Sequence, residues 1–409
     1  MERRKVGVIG AGAAGMMAAI TAAGQGADVT LIERGERVGK KLLMTGNGKC
    51  NLGNRSLDID KYYGGNREWI SQCLKGFDTD ETIRFFQGLG LLLKSKNGYL
   101  YPASEQASVV LDVLRNELKL LGITLITECK INKIVKNKNT GQIVVSDGDR
   151  TLTFDRVILA CGSKAAPKTG SDGSGYKLAK QLGHTIVPTV PALVQLKCSE
   201  DYLKAVSGVR AEGRIQVVKD GSCVAEEYGE IQFTDYGISG IPVFQLSRVV
   251  NYILQEQKSV EVIINLMPDY DEASFHKLIA GRRLLQTDRT VEEFFTGMLN
   301  KKLMTLFIKL AGLKTNIPVA ESDIEVVEQV YELCRQWKLH VTGSNSYENA
   351  QVCAGGVDTT EVSDKMESKL VPGVYFAGEL LDVDGKCGGY NLQWAWCSGY
   401  LAGMAVAER

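Results

Sequence analysis

The sequence predicts an α/β protein in which a parallel sheet and an antiparallel β-meander form one domain, interrupted by an inserted domain of strands and helices. Apolar runs at 5–9 and 29–32 flank a glycine-rich turn and a helix-length stretch of small residues. Two further apolar runs, within 156–163 and 371–379, end at glycine, as buried strands of a parallel sheet often do. From residue 188 the pattern changes to short alternating segments, which indicates a separate domain.

These changes of pattern set the expected domain boundaries. A chain of 409 residues exceeds what one ordinary core holds. We expect residues 1–187 and 344–409 to form the domain with the parallel sheet. The insert is expected over 188–343, with a β part at about 188–268 and a helical part at about 269–340.

Composition excludes several functional classes. Lys plus Arg and Asp plus Glu both number 48, so the net charge is zero and no nucleic-acid partner is expected. The 10 Cys form no C-x-x-C pair and the 3 His do not cluster, so we expect no metal site. A strand begins within the first residues and no long apolar run follows, which predicts a cytoplasmic protein without a membrane span.

The first element is a strand–turn–helix–strand unit with a nucleotide-binding pattern. Gly10, Gly12 and Gly15 have G-x-G-x-x-G spacing directly after the first apolar run. In such a unit the first glycine permits the tight turn, the second admits a pyrophosphate, and the third allows close helix–strand packing. Ala13 and Ala14 open the helix, whose N-terminus favours phosphate. Glu33 ends the second strand, where a carboxylate can accept hydrogen bonds from ribose hydroxyls, so a Rossmann-like domain is predicted.

A long polar loop follows at 34–51, rich in Gly, Asn and cations. One interpretation is a solvated loop. The other is a segment that follows an extended cofactor, with Lys40 and Lys41 near phosphates and Asn47 or Asn51 near a ring system. Loops of this length are usually functional or disordered, so we favour the second interpretation.

The meander and a further buried strand come next. Apolar runs at 129–135, 142–145 and 152–154 are separated by polar turns and predict three antiparallel strands. The following run ends in Ala160-Cys161-Gly162, where the backbone can again approach a dinucleotide.

The insert shows the patterns of both strands and helices. Strands are expected at 190–198, 214–219, 224–228, 231–234 and 260–266, and helices at 241–254, within 271–315 and at 326–337.

The C-terminal segment returns to the first domain's pattern. A strand ends in Gly378-Glu379, and a loop through Gly389 leads into a small-residue helix that begins near Asn391-Leu392-Gln393. A glycine turn at a helix N-terminus makes a second site for an anion or dipole.

The motifs together resemble the YhiN-like (BaiN-like) family of FAD-dependent oxidoreductases, within the two-dinucleotide-binding-domain flavoproteins. The matching stretches are Gly10 to Gly15, Thr45 to Asn51, Ala350 to Val357 and Phe376 to Trp396. Lys49 and Gly53 depart from the Arg and Thr associated with those positions, so an anchoring role for Lys49 is in doubt.

The resemblance implies FAD as the resident nucleotide. It places the pyrophosphate at the glycine turn, the adenosine ribose at Glu33, the ribityl chain near Glu379 and the flavin pyrimidine edge at the start of the last helix. The cofactor-binding residues expected from the motifs and the resemblance are Gly10, Gly12, Ala13, Ala14, Gly15, Glu33, Arg34, Lys40, Lys41, Thr45, Gly46, Asn47, Asn51, Ile131, Ala160, Cys161, Gly162, Gly378, Glu379, Gly389, Asn391, Leu392 and Gln393.

The reaction stays open at this point. The resemblance favours an NAD(P)H-linked reductase of an activated C=C bond, in a 3-oxo-Δ4 or Δ4,6 bile acid or a steroid-like enone, by hydride transfer from flavin N5. The alternatives are an amine (aminoketone) oxidase that uses oxygen, and a non-catalytic FAD-binding or RNA-modification-associated protein. NADH or NADPH would bind transiently, since the sequence has no second G-x-G-x-x-G. Tyr390, Tyr236 and Cys387 are the candidate proton donors, chosen only by their nearness in sequence to glycine loops.

Overall fold

The computed structural model describes residues 3–285 and 288–408. The chain divides into two compact units, one made of Met1–Val190 with Tyr347–Arg409 and the other of Pro191–Ser346. Residues 286 and 287, within the expected helical part, lie outside the described residues.

The strands of the described residues are, in chain order, β1 (Lys5–Ile9), β2 (Asp28–Ile32), β3 (Gly53–Asn54), β4 (Tyr62–Tyr63), β5 (Leu93–Lys96), β6 (Tyr99–Pro102), β7 (Thr124–Ile126), β8 (Lys133–Lys136), β9 (Ile143–Ser146), β10 (Thr151–Phe154), β11 (Arg156–Leu159), β12 (Val190–Ala192), β13 (Leu196–Cys198), β14 (Arg210–Lys219), β15 (Ser222–Phe233), β16 (Gly237–Ser239), β17 (Val260–Asn265), β18 (Trp337–Ser344), β19 (Val352–Ala354), β20 (Val374–Phe376) and β21 (Asp384–Gly385). The α-helices are α1 (Ala13–Gly24), α2 (Arg67–Gly76), α3 (Thr79–Gly88), α4 (Ala107–Leu120), α5 (Ser174–Gln181), α6 (Ile241–Ile253), α7 (Glu272–Leu285), α8 (Val291–Phe295), α9 (Lys301–Leu310), α10 (Ile324–Arg335) and α11 (Tyr390–Ala407).

The first unit is built on a five-stranded parallel sheet in the order β20-β11-β1-β2-β7. Its central strands are almost fully buried, which explains why they read as continuous apolar runs. The three-stranded sheet β10-β9-β8 is antiparallel. The predicted Rossmann-like sheet and meander are therefore confirmed.

Helices α1 and α11, from the two ends of the chain, pack at very short range. A methyl group at Gly399 would lie 2.5 Å from the carbonyl oxygen of Ala14, and one at Gly403 would lie 2.6 Å from that of Ala18. The small residues of both helices are thus explained by close backbone approach. Arg156 secures the far end of α11, since its Nη1 donates to the carbonyl oxygens of residues 405 and 406 at 2.8 and 3.1 Å.

A buried histidine joins α5's C-terminal turn to the loop before β20. The Nδ1 of His184 lies 3.0 Å from Glu361 Oε2, and its Nε2 lies 2.7 Å from Ser368 Oγ. The Glu361 carboxylate accepts, so Nδ1 carries the proton. Ser368 Oγ already accepts from the N–H groups of residues 370 and 371, so it donates to Nε2. Burial lowers the pKa of His184, which keeps this neutral tautomer.

The second unit contains a closed six-stranded barrel in the order β13-β16-β15-β14-β17-β18, with helices α6 to α10 in the same unit. Three expectations were wrong here. The segment 190–198 forms two strands, β12 and β13, separated by residues 193–195. The segments 224–228 and 231–234 form one strand, β15, because its pairing with β14 continues through Gly229 opposite Gly213. Trp337 was expected to end a helix but begins β18, which pairs with β17 and β13.

Within the part of the chain that the structure describes, we find no helix long and apolar enough to cross a membrane.

Candidate functional site

The glycine turn joins β1 to α1, as its spacing predicts. Gly10 has a φ of 104°, and a methyl group there would collide with the carbonyl group of Ala160. A methyl group at Gly15 would collide with the carbonyl oxygen of Gly10. Gly12, the N-cap residue of α1, differs, since a methyl group there meets nothing within 4 Å. Open space above Gly12 and the first turn of α1, with Ala13 and Ala14, suits an incoming phosphate.

Glu33 lies directly after β2 and faces this turn. Its Oε2 accepts from the N–H of Ala11 at 3.0 Å, and its Oε1 accepts from the N–H of Gly35 at 2.8 Å. These bonds fix the carboxylate beside the glycine turn, where a ribose would meet it in a dinucleotide-binding unit.

The next residue, Arg34, is held by an acidic partner. Its guanidinium contacts Asp172, and Lys130 Nζ lies 3.2 Å from the same carboxylate. These contacts and the hydrogen bonds from Ser174 hold the pKa of Asp172 well below its usual range, against the effect of burial. Ile131, the neighbour of Lys130, lies in the segment that connects β7 to β8, and its side chain is buried.

The loop after β2 is more ordered than its composition suggests. Lys40 lies close to Gly35, and Thr45 Oγ1 donates to the carbonyl oxygen of Leu42 at 2.7 Å. Gly46 and Asn47 both adopt the left-handed region, with φ of 56° and 53°, so the chain reverses sharply before Asn51.

Lys49 holds this loop to its surroundings. Its Nζ lies 2.8 Å from Glu105, and Lys94 contacts the same carboxylate at 2.6 Å. Hydrogen bonds from the two lysines lower the pKa of Glu105 to about 2. Lys49 therefore contacts a neighbouring loop through a single carboxylate. A lysine ammonium group makes this contact without the planar guanidinium group of an arginine.

A half-buried ion pair connects the loop after β2 to the segment after β20. Lys41 Nζ lies 2.6 Å from Glu379 Oε2, and Ser163 Oγ donates to the same oxygen at 3.0 Å. The N–H of Gly378 donates to Ser398 Oγ at 2.9 Å, which ties the end of β20 to α11. Residues separated by 338 positions thus meet at one carboxylate.

The segment after β11 lies beside the glycine turn. Cys161 Sγ lies 3.4 Å from the carbonyl oxygen of Ile9, and burial raises the pKa of this thiol to about 12. Cys161 is therefore a protonated packing residue at neutral pH. Gly162, in the left-handed region, leads directly to Ser163.

The start of α11 is shaped by the protein's own contacts. Asn391 exchanges two hydrogen bonds with Gly385, at 2.8 and 2.7 Å, which fixes the loop before the helix. Gln393 is fully buried and bonds Thr82 and the carbonyl oxygen of Phe77 at 3.0 and 3.2 Å. Its side chain serves packing, while Gly389 and half-buried Leu392 lie at the helix start.

The three candidate proton donors lie in different surroundings. Tyr390 is 5% exposed, packs edge-on against Tyr62, and its burial raises its pKa. Tyr236 belongs to the second unit, where its Oη accepts from Asn345 Nδ2 at 3.1 Å. Cys387 is half-buried in the loop before α11.

Sequence reasoning missed Ser163, Cys353 and Tyr176 as members of the site. Ser163 bonds Glu379 directly. Cys353 and Tyr176 lie within electrostatic range of the same carboxylate, and burial raises the pKa of both. The sequence signals for them were modest: Ser163 follows Gly162, and Cys353 lies in the motif that ends in Gly355-Gly356.

The residues present fit a bound dinucleotide. The space over Gly12 is open, and Asn51 Oδ1 is buried without a hydrogen-bond partner among the described residues. A buried acceptor of this kind calls for a donor from a ligand or water. The same described residues hold no cluster of three or more His, Cys, Asp or Glu side chains suited to a metal ion.

Parallel sheet, glycine turn, strand-end carboxylate and second glycine loop are the features of a Rossmann-type, FAD-dependent oxidoreductase. The chain belongs to the HI0933-like family, because the profile of the "HI0933-like protein Rossmann domain" matches residues 4–405. The family membership expected from the motifs is thereby confirmed.

Two curated relatives align over almost the whole chain. The chain is 44% identical over 408 residues to the 3-dehydro-bile acid delta(4,6)-reductase of Clostridium scindens, with 99% of each protein covered. It is 30% identical over 411 residues to the ribosomal RNA dihydrouridine synthase of Haemophilus influenzae, with 98% of each covered. The expectation of no nucleic-acid partner stays a prediction, since this second relative acts on RNA.

Among solved structures, the 3-ketosteroid delta1-dehydrogenase of Sterolibacterium denitrificans aligns over the full length of both chains, with a TM-score of 0.51 and 12% identity. At this identity the likeness concerns the fold alone.

Proposed function

We propose that the protein reduces a carbon–carbon double bond conjugated to a ketone in a steroid-like small molecule, such as a 3-oxo-Δ4 or Δ4,6 bile acid. FAD is the resident cofactor, and NADH or NADPH is the electron donor. The observation that carries this proposal is the 44% identity, over 99% of both chains, to a reductase of that substrate class.

The first unit offers a continuous set of groups for FAD. Pyrophosphate binding is assigned to the open turn at Gly12, and adenosine ribose binding to Glu33. The ribityl side is assigned to Glu379, which Lys41 and Ser163 hold in place through its Oε2. The full set is the one that the sequence predicts, except that the side chains of Cys161 and Gln393 serve packing and that Ser163 is added.

At the flavin end, the loop before α11 supplies orientation and charge. Asn391 fixes Gly385, so the backbone at the helix start is preorganised, and the N-terminus of α11 contributes partial positive charge. When bound, FAD supplies the hydride for the electron-poor carbon of the enone. The positive potential at the N-terminus of α11 would favour negative charge on the bound flavin.

The second carbon of the double bond needs a proton. Tyr390 keeps its phenolic proton at neutral pH, because burial raises its pKa, and it lies at the first position of α11. We assign the proton to Tyr390 ahead of Tyr236 and Cys387. Tyr390→Phe should lower the rate of enone reduction while leaving FAD reduction by NADH unchanged, with Tyr99→Phe as the neighbouring control.

A second candidate is the reduction of uracil in RNA, which the 30% identity over 98% of the chain to a dihydrouridine synthase favours. The C5=C6 bond of uracil is also conjugated to a carbonyl group, so one chemistry serves both substrates. The chain has 48 cationic and 48 anionic side chains, and RNA binding relies on clustered cations, so the charge balance favours a small-molecule substrate over RNA.

One anaerobic experiment separates the candidates. The oxidised protein is first mixed with NADH and, separately, with an aminoketone. The reduced protein is then mixed in turn with a 3-oxo-Δ4 bile acid, with its saturated 3-oxo analogue, with unmodified ribosomal RNA and, in a separate run, with oxygen. Rapid return of the oxidised flavin spectrum with the enone, and not with the saturated ketone, is expected. Reoxidation by RNA alone would favour the uracil reaction. Bleaching by an aminoketone but not by NADH, with fast reoxidation by oxygen alone, would favour the oxidase.

A further inference from the structure

Tyr176, on α5 of the first unit, carries a buried hydroxyl group without a protein partner. The residue is 4% exposed, and its Oη makes no hydrogen bond within the described residues. Leaving a buried hydroxyl unbonded is costly, and such groups in native proteins call for a ligand, an ion or a water. The proposed function does not use this residue.

The surroundings of this hydroxyl are polar and belong to the cofactor-binding region. Cys353, Glu379, Tyr347 and Asp382 lie within electrostatic range of it. The preceding Gly175 packs against Cys161 and Leu380, so α5 begins directly on the strand ends that flank the glycine turn.

Neighbouring groups direct their own hydrogen bonds elsewhere. Ser163 donates to Glu379, and Tyr347 donates to the carbonyl oxygen of Thr189 at 2.6 Å. Burial raises the pKa of Tyr176 far above its ordinary value, so the phenol keeps its proton and is a donor at neutral pH. Tyr176 thus offers an unused donor within electrostatic range of Glu379.

A second tyrosine shows that an unbonded hydroxyl alone does not define a site. Tyr331, in the second unit, is 1% exposed and its Oη also has no partner within the described residues. Its ring packs edge-on against Phe275 and Phe295, which are apolar. Tyr331 also interacts electrostatically with Arg282 and Cys334. Tyr176 differs because its electrostatic partners include Glu379, the carboxylate assigned to the ribityl side of the cofactor.

We propose that Tyr176 is a further FAD-binding residue, whose hydroxyl donates a hydrogen bond to a polar atom of the bound cofactor. This inference rests on the proposed role of FAD. The hydroxyl is unsatisfied in the free protein and becomes satisfied on binding, so part of the binding free energy comes from relieving it.

The test compares wild type, Tyr176→Phe and the matched variant Tyr331→Phe, each freed of FAD. Phenylalanine keeps the ring and its packing, so both variants should fold. FAD binding is measured by quenching of its fluorescence, and the stability of the FAD-free proteins by urea unfolding. We expect Tyr176→Phe to bind FAD about 3- to 10-fold more weakly, the loss of one hydrogen bond, with undiminished FAD-free stability. Tyr331→Phe should bind FAD like wild type.

Wild-type affinity in Tyr176→Phe would overturn the inference. A fall in FAD-free stability with unchanged affinity would also overturn it, since the hydroxyl would then bond to water in the free protein. Failure of the wild type itself to bind FAD would refute the proposed cofactor, and is thereby distinguished from failure at Tyr176 alone.

Discussion

Replacing Gly12 with alanine should separate cofactor binding from folding. Gly12 has φ of −81° and ψ of −167°, which alanine adopts without strain, and the added methyl group meets no protein atom within 4 Å. The FAD-free protein should therefore keep its stability to within about 1 kcal/mol, because the restriction of the unfolded chain by alanine offsets its poorer fit at the N-cap of α1. The methyl group occupies the space proposed for the pyrophosphate.

The expected loss of affinity follows from the groups that the methyl group would push away. A phosphate at the first turn of α1 accepts charge-assisted hydrogen bonds, worth about 1.5–3 kcal/mol each. Losing one of them corresponds to roughly 10- to 100-fold weaker FAD binding, at about 1.4 kcal/mol per factor of ten. Titration of the FAD-free protein with FAD, followed by fluorescence quenching, measures this change, and urea unfolding measures stability.

Two other glycines of the same segment serve as controls. Gly24, at the end of α1, also has open space around it, so Gly24→Ala should leave FAD affinity unchanged. Gly15→Ala forces a methyl group onto the carbonyl oxygen of Gly10, and should prevent normal folding. Wild-type FAD affinity in a folded Gly12→Ala protein would refute the assignment of the pyrophosphate to this turn.

Two further predictions concern stability. Burial depresses the pKa of His184 below the unfolded value of about 6.5. Its contribution to the free energy of unfolding is therefore complete above about pH 6.5 and is lost as the pH falls through the folded-state pKa. Urea unfolding between pH 7.5 and 5 should show this loss in wild type and a shallower slope in His184→Asn; equal slopes would contradict the neutral tautomer. Arg156→Met removes two bonds to the end of α11 and should cost about 1–3 kcal/mol in urea unfolding without changing FAD affinity. An unchanged unfolding free energy would show that this cap is dispensable.

The first βαβ unit was predictable because its information is local. Strand, turn, helix and carboxylate follow one another within 33 residues, and the constraints at Gly10 and Gly15 arise from backbone within the same unit or from the adjacent strand. The meander was predictable for the same reason, since its strands are neighbours in the sequence.

The second unit was harder to predict because its elements are decided by distant partners. Helical spacing at 326–337 favoured a helix through Trp337, yet pairing with Ile264 makes that residue the start of β18. The barrel closes only where β18 also pairs with β13, some 140 residues earlier. A local pattern carries no information about such a partner.

By itself, the sequence determined the Rossmann-type unit and predicted a dinucleotide for it, since glycine spacing and a strand-end acid depend on short-range geometry. Only the tertiary structure decided how the individual side chains are used. It turned Gln393 inward to Thr82, joined Lys41 and Ser163 at Glu379, and left the hydroxyl of Tyr176 unbonded beside them. Side-chain direction depends on packing between segments far apart in the chain, and the periodicity of one segment does not encode it.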